Sequence, residues 1–113
     1  MAAATYNLVI DQGSDFTLDL VVKELGLVKN LTGYSARAQL RTKKDASGDA
    51  AASFTCTITD AVAGAIRMEL PNAISTGISA GRYYYDLEIH TGSDAVVKRL
   101  IQGEVTLNQE VTR

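Results

Sequence analysis

Apolar residues alternate with polar or small residues in seven stretches of the chain. The pattern is strictest in the second stretch, where Phe16, Leu18, Leu20 and Val22 point to one side of the backbone and the intervening residues point to the other. A period of two predicts a strand with one buried face, because helical side chains repeat about every 3.6 residues. The same alternation predicts six more strands. Five of them start near Tyr6, Tyr34, Ser53, Ala65 and Tyr83, and the last follows a turn at 91–94 and runs to about Leu107.

Turn-forming residues separate these stretches. Residues 11–15 are dense in Asp, Gly and Ser, and residues 42–51 form the most polar segment, which predicts an exposed loop. Lys43 and Lys44 in that loop are interpreted as solubilising charges rather than as a basic binding patch. Residues 72–80 show the helical spacing expected of a single short turn of helix.

Seven strands at short spacing, without alternating helices, predict an all-β protein. The expected architecture is an immunoglobulin-like antiparallel β-sandwich of about seven strands, formed as a single domain over residues 1–113. The chain has one cysteine and no tryptophan, which excludes an antibody-type domain with its inter-sheet disulfide. We expect a core of Leu, Ile and Val with Phe16, Phe54 and tyrosine rings.

The last two strands form a hairpin in two alternative registers. One register sets Asp86 opposite Arg99, and the other sets Glu88 opposite Lys98. A bulge at Gly103 would reconcile the two.

Charge and composition narrow the classes of partner. The formal net charge is −2 and the isoelectric point is near 5.3, with the basic residues scattered, which argues against a nucleic-acid-binding module. The first residues lack the features of a secretory signal, and no apolar run reaches the roughly 20 residues that a membrane span needs. We therefore expect a soluble, unprocessed chain without nucleic-acid or membrane partners.

Two constellations have the residue types of catalytic or metal sites. Residues 77–81 match the G-x-S-x-G pattern around Ser79, but a nucleophile elbow needs a strand before the serine and a helix after it, and here a strand follows. Asp86, Glu88 and His90 share one face of a strand, where a charged, solvated row is the simpler interpretation. The sequence therefore predicts no catalytic, cofactor or metal site, with a small hydrolase or metal enzyme as the alternative.

Two further side chains are singled out by their position in the pattern. Cys56 falls on the apolar side of its strand, which predicts an inert buried thiol. In the run Tyr83-Tyr84-Tyr85, the outer two rings are expected in the core and Tyr84 is expected to project outward, where tyrosine is an effective anchor for a partner protein. A carbohydrate-binding sandwich would need more exposed aromatic residues than Tyr84.

Several turn and strand motifs carry a resemblance to a known class of proteins. They are Ile10-Asp11-Gln12-Gly13-Ser14-Asp15-Phe16, Leu31-Thr32-Gly33-Tyr34-Ser35-Ala36-Arg37, Glu69-Leu70-Pro71, Ala80-Gly81-Arg82-Tyr83-Tyr84-Tyr85-Asp86-Leu87-Glu88 and Arg99-Leu100-Ile101-Gln102-Gly103-Glu104-Val105. Together they resemble small virion structural proteins of tailed bacteriophages, and their order is similar to the N-terminal immunoglobulin-like domain of phage baseplate upper proteins.

The resemblance implies a non-enzymatic, multi-copy component of the virion, made in the cytoplasm of the bacterial host. Its partners would be other virion proteins of the tail, baseplate or capsid in a symmetric assembly, without a cofactor. Because the chain has one domain of this kind, the implied role is an adaptor that docks one virion protein onto another, with a capsid decoration or cement subunit as the alternative. The expected interface residues are Met1, Ala2, Ala3, Ala4, Thr5, Tyr84, Glu110, Val111, Thr112 and Arg113.

Overall fold

A computed structural model of the chain describes residues 4–42, 50–93 and 96–109. The strands are β1 (Ala4–Thr5), β2 (Leu8–Asp11), β3 (Phe16–Val21), β4 (Lys23–Glu24), β5 (Leu27–Val28), β6 (Tyr34–Arg41), β7 (Ala52–Asp60), β8 (Ala65–Leu70), β9 (Gly81–Thr91) and β10 (Val97–Asn108), and the helix α1 (Asn72–Ser75) precedes β9. The predicted helical turn is therefore confined to the first part of residues 72–80.

The strands fold into two packed layers, which confirms the all-β, immunoglobulin-like sandwich. In one layer β10, β9 and β6 are neighbours, and β1 and β2 both pair with β10. In the other layer β8 lies between β7 and β3. Strand β7 belongs to both layers, because Ala52–Phe54 pair with β6 and the residues from Thr55 to Asp60 pair with β8. The two layers are thus joined by a shared strand.

The core lies between the layers and follows the predicted alternation. Strand β9 buries Tyr83, Tyr85, Leu87 and Ile89 and turns the intervening residues outward. The facing layer buries alternate residues of β8, and the Phe54 ring meets the rings of Phe16 and Tyr85 edge-on, each with centroids 6.2 Å apart. These contacts confirm the predicted aromatic and aliphatic core.

A tyrosine near the start of β9 marks the corner between the two layers. The Tyr83 hydroxyl donates a 2.6 Å hydrogen bond to the carbonyl oxygen of Ser79, four residues earlier, while the ring is buried. The same local arrangement is the tyrosine corner of immunoglobulin-like sandwiches. This hydrogen bond fixes the connection between α1 and β9 to the start of β9.

The N-terminal strands depart from the predicted antiparallel pairing. Strands β1 and β2 run parallel to β10, with Ala4 opposite Ile101 and Leu8 opposite Val105. The physical reason is the turn after β2, which carries the chain across the sandwich to β3 in the other layer. Buried Ser75 of α1 holds this turn, because its hydroxyl donates to the Ser14 carbonyl and accepts from the Gly13 N–H.

The final hairpin adopts neither predicted register. Arg99 lies opposite Glu88 and Gln102 lies opposite Asp86, with the irregularity between Arg99 and Ile101 rather than at Gly103. Gly103 has another role, since a Cβ there would lie 2.4 Å from the Tyr6 carbonyl oxygen. The missing side chain lets the link between β1 and β2 cross β10 at close range.

Candidate functional site

The outward side chains of β6, β9 and β10 form one polar surface, here named the β6–β9–β10 face. Register places them in rows across the three strands: Arg41, Tyr84 and Glu104; Gln39, Asp86 and Gln102; and Arg37, Glu88 and Arg99. Each row therefore carries one side chain from each strand. Because strands are rigid, the spacing within and between rows is fixed by the sheet.

Opposite charges on the β6–β9–β10 face are arranged in pairs. Arg37 Nε lies 2.5 Å from Glu88 Oε1, and Arg99 Nε lies 3.0 Å from Asp86 Oδ2. Lys98, which we expected to support this charge ladder, instead contacts Glu24 at 3.6 Å. Exposed pairs of this kind add about 0–1 kcal/mol each to stability. Their main effect is to hold the guanidinium and carboxylate groups in defined positions.

Tyr84 projects outward from β9, as the sequence predicted, and the structure places it in an open groove on this face. The groove has a volume of about 420 Å³ and is bordered by Arg41, Arg99, Asp86 and Glu104, with Thr5 and Asn7 at its edge. The ring is half-buried, whereas Tyr83 and Tyr85 on either side point into the core. A concave surface with an aromatic ring and both signs of charge suits a protein or peptide partner.

The predicted terminal interface residues are only partly within the described chain. Ala4 and Thr5 form β1 and pair with Ile101 and Gln102, so they are part of the sheet at the border of the groove. The other terminal residues predicted as interface, Met1, Ala2, Ala3, Glu110, Val111, Thr112 and Arg113, lie outside the described residues, as do Lys43 and Lys44.

Ser79 and His90 are at opposite ends of β9. The Ser79 carbonyl oxygen lies at the Tyr83 hydroxyl, near the start of that strand, whereas His90 is next to its last residue. Seven residues of extended strand, about 23 Å, separate Tyr83 from His90. The His90 Nδ1 lies 3.1 Å from the neighbouring Thr91 carbonyl oxygen. Within one chain, the imidazole and the serine hydroxyl are too far apart to act as base and nucleophile.

The remaining candidates for chemistry have structural partners. Asp86 and Glu88 face arginines, and no group of three or more His, Cys, Asp or Glu side chains with metal-binding geometry occurs among the described residues. Cys56 is half-buried against the core, and burial raises the pKa of its thiol to about 11 from an ordinary value of 9.0. The thiol is therefore protonated near neutral pH, as expected of an inert core cysteine. No helix in the described ranges is long and apolar enough to cross a membrane.

Two features of the surface were not predicted from the sequence. Arg37 and Arg41 shape the β6–β9–β10 face, and the signal for them was the polar half of the alternation in β6. The hairpin formed by β4 and β5 lies between the predicted strands that start near Phe16 and Tyr34, in a segment for which no strand was predicted. The sequence signal for this hairpin was Gly26, which lies between the short segments 23–25 and 27–29.

Comparisons with known proteins leave the family open. No protein-family profile matches the chain, and no curated protein matches it. Among solved structures it is similar to InlP of Listeria monocytogenes, at 16% identity over 94% of this chain and 28% of that chain, with a TM-score of 0.49. It is also similar to a family 123 glycoside hydrolase from Clostridium perfringens, at 10% identity over 97% of this chain and 24% of that chain, with a TM-score of 0.49.

A third similar structure is a PapD-like domain of human CEP192. It is 15% identical over 97% of this chain and 84% of that chain, with a TM-score of 0.42. The chain thus spans about a quarter of the length of the first two proteins. None of the three is a phage baseplate protein.

Proposed function

We propose that the protein is a non-enzymatic structural component of a tailed bacteriophage, placed in the tail or baseplate, where it docks one virion protein onto another. The phage setting rests on the turn and strand motifs described above. The docking role rests on the β6–β9–β10 face. In this proposal the protein is made in the bacterial cytoplasm and is incorporated into the virion in several copies.

The observation that carries the docking role is the position of Tyr84. Its ring stands in a groove of about 420 Å³ between Arg41 on one strand and Glu104 on another. Tyrosine buries a large area at low entropic cost, and residues of this type dominate the binding energy of many interfaces. The flanking charges of both signs orient a partner and discriminate against wrong ones.

A neighbouring edge gives the partner a second kind of contact. Strand β6 pairs with β7 only through Ala38–Leu40, because β7 then leaves for the other layer. Within the described pairing, residues 34–37 of β6 have no strand beside them on this side, and an open groove of about 480 Å³ lies there. An extended segment of a partner can add a strand at such an edge.

The test is incorporation of tagged variants into particles from the host that carries the gene. Wild type and Thr57→Ala, a control on the outer face of the other layer, should both be present in purified particles. Tyr84→Ala should reduce incorporation at least about tenfold, since a buried interface tyrosine commonly contributes 2 kcal/mol or more. Circular dichroism of each purified variant checks that folding is unchanged.

The outcomes separate the parts of the proposal. Absence of the wild-type protein from particles would refute the virion setting. Equal incorporation of Tyr84→Ala and Thr57→Ala would refute the docking face. Electron microscopy of labelled particles then distinguishes the tail or baseplate from the capsid, and a capsid location would replace the adaptor role with that of a decoration subunit.

A further inference from the structure

Exposed apolar side chains concentrate at one end of the sandwich. Ten large apolar side chains are exposed among the described residues, and seven of them lie in the loops and strand ends where β3 ends and β6 begins. This surface, the hairpin end, consists of Val21, Leu25, Leu27, Val28, Val62, Val96 and Val97. A cluster of this kind on a small domain marks an interaction site, whereas isolated exposed apolar residues are ordinary.

Hydrogen bonds and ion pairs show that these segments are neighbours. The Leu31 N–H donates to the Ala61 carbonyl and the Val22 N–H donates to the Gly64 carbonyl, which joins the segment around β4 and β5 to the 61–64 turn. Lys98 Nζ lies 3.6 Å from Glu24 Oε2, which brings the start of β10 to the same hairpin.

The hairpin is held rigidly at its base. A Cβ at Gly64 would lie 2.7 Å from the Lys29 carbonyl oxygen and 2.8 Å from the Val22 carbonyl oxygen, so the backbones are in close contact there. Lys29 Nζ also lies 3.1 Å from Glu24 Oε2 and 5.4 Å from the centre of the Tyr34 ring. The hairpin therefore presents its tip in a defined position.

Leu25 at the tip contributes little to its own domain. Its side chain is 92% exposed, and its backbone has φ 54°, the left-handed region that glycine and asparagine adopt readily and leucine rarely does. With Gly26 at φ 79°, it forms the two-residue turn between β4 and β5, where Asn-Gly is the favoured pair. Folding alone does not account for leucine at this position.

We propose that the hairpin end is a second docking surface, on which Leu25 and Leu27 insert into a concave apolar pocket of another protein with carboxylates at its rim. The tip is convex, so it does not fit the same surface of a second copy, and the two grooves described above on the chain are lined mainly by charged and polar side chains rather than by apolar ones. Lysines 29 and 98 contact the Glu24 carboxylate, and Lys23 is exposed on the same hairpin without an ion-pair partner among the described residues. The other carboxylate in the described part of these segments is that of Asp60, beside Val62, so three lysines stand against two carboxylates. That excess of positive charge complements an acidic rim.

A membrane surface fits the hairpin end less well than a protein pocket does. The seven exposed side chains are all aliphatic, whereas residues anchored at a lipid interface are enriched in tryptophan and tyrosine. The proposal extends the adaptor role, because a surface distinct from the Tyr84 groove would let one chain hold two partners.

The experiment is site-specific photo-crosslinking of the full chain in the cells that naturally produce it. Benzoylphenylalanine replaces Val62, which is 71% exposed at the hairpin end, and a control chain carries it in place of Val9, which is 64% exposed on β2. Mass spectrometry identifies the crosslinked peptide. We expect one protein partner at the Val62 position, with a peptide that combines apolar and acidic residues.

Variants test the roles of the leucines and the lysine. Leu25→Asn, which favours the turn, and Leu27→Thr, which keeps a strand-forming residue, should each lower the Val62 adduct at least about tenfold. Lys23→Glu should also lower it, and replacing the partner's carboxylate by lysine should restore it.

Three results would overturn the proposal. The first is an adduct no stronger than that of the Val9 control, and the second is an adduct with another copy of this chain. The third is flotation with phosphatidylglycerol–phosphatidylcholine vesicles that depends on Leu25. A Leu25-dependent protein adduct in a chain that is absent from virions would support this surface while refuting the phage function.

Discussion

Replacing Gly103 by alanine tests whether the N-terminal segment is held on β10 as closely as the structure indicates. The new Cβ would lie 2.4 Å from the Tyr6 carbonyl oxygen and 2.8 Å from Asn7 Oδ1. Carbon and oxygen atoms normally stay about 3.3 Å apart, so the Tyr6 carbonyl must move by about 1 Å. The Tyr6 carbonyl oxygen accepts a hydrogen bond from the Tyr85 hydroxyl, and the Tyr6 N–H donates a 2.8 Å hydrogen bond to the Gln102 carbonyl oxygen, so the movement weakens both bonds.

The expected loss is about 2 kcal/mol of unfolding free energy, from overpacking and from one or two weakened hydrogen bonds. Urea and thermal unfolding, followed by circular dichroism, should show a midpoint lower by roughly 8 °C, at about 4 °C per kcal/mol. The matched control is Gly77→Ala, whose Cβ would meet no atom closer than the Ile74 carbonyl oxygen at 3.6 Å. If Gly103→Ala is as stable as Gly77→Ala, the close crossing of residues 6 and 7 over β10 is wrong.

Three further predictions concern the corner, the buried thiol and the hairpin. Tyr83→Phe removes the hydrogen bond to Ser79 and should cost about 1 kcal/mol in urea unfolding, while Tyr34→Phe should cost clearly less; equal losses would contradict a special role for the corner. Between pH 9 and pH 11 the unfolded chain loses the Cys56 proton while the folded chain keeps it, because burial raises the pKa of the thiol to about 11, so stability should fall as pH rises. Urea midpoints at pH 8 and pH 10 should differ less in Cys56→Ala than in wild type, and identical differences would refute the linkage. Leu25→Asn relieves the left-handed leucine and should raise the unfolding free energy by about 0.5–1 kcal/mol, whereas a destabilised variant would show that the leucine serves the fold.

The sequence was sufficient to predict which side chains face inward. Tyr83 and Tyr85 in the core, Tyr84 outside and Cys56 on the apolar side all follow from period-two alternation, and the structure confirms each of them. Alternation is a local property, because side chains at odd and even positions of a strand point to opposite faces of the sheet and the apolar set identifies the face that is buried.

Pairing between distant strands could not be predicted in the same way. The parallel ladder between β2 and β10 joins segments almost a hundred residues apart, and nothing in either segment specifies its partner. Gly103 was predicted to lie at a bulge. Glycine within a strand occurs both at bulges and where another backbone passes close to the strand, and the sequence does not distinguish the two cases. The true irregularity, between Arg99 and Ile101, has no glycine to mark it.

The candidate site was only partly predictable for a related reason. Tyr84 was identified from its place in a tyrosine run, but Arg41 and Glu104 join it only through the registers of β6 and β10 with β9. The hairpin end escaped detection because β4 and β5 have two residues each, too few to show a period, and because leucine occupies the turn position where asparagine or aspartate would have signalled a hairpin.

The parallel ladder between β2 and β10 has a mechanical consequence. Tension applied to the chain before β2 and after β10 would pull these two strands in opposite directions along their common axis. The four pairs from Leu8–Val105 to Asp11–Asn108 would then bear the load together in shear, instead of opening one after another as in a peeled hairpin. A domain built in this way resists stretching, which suits a part that must stay folded while force passes through it.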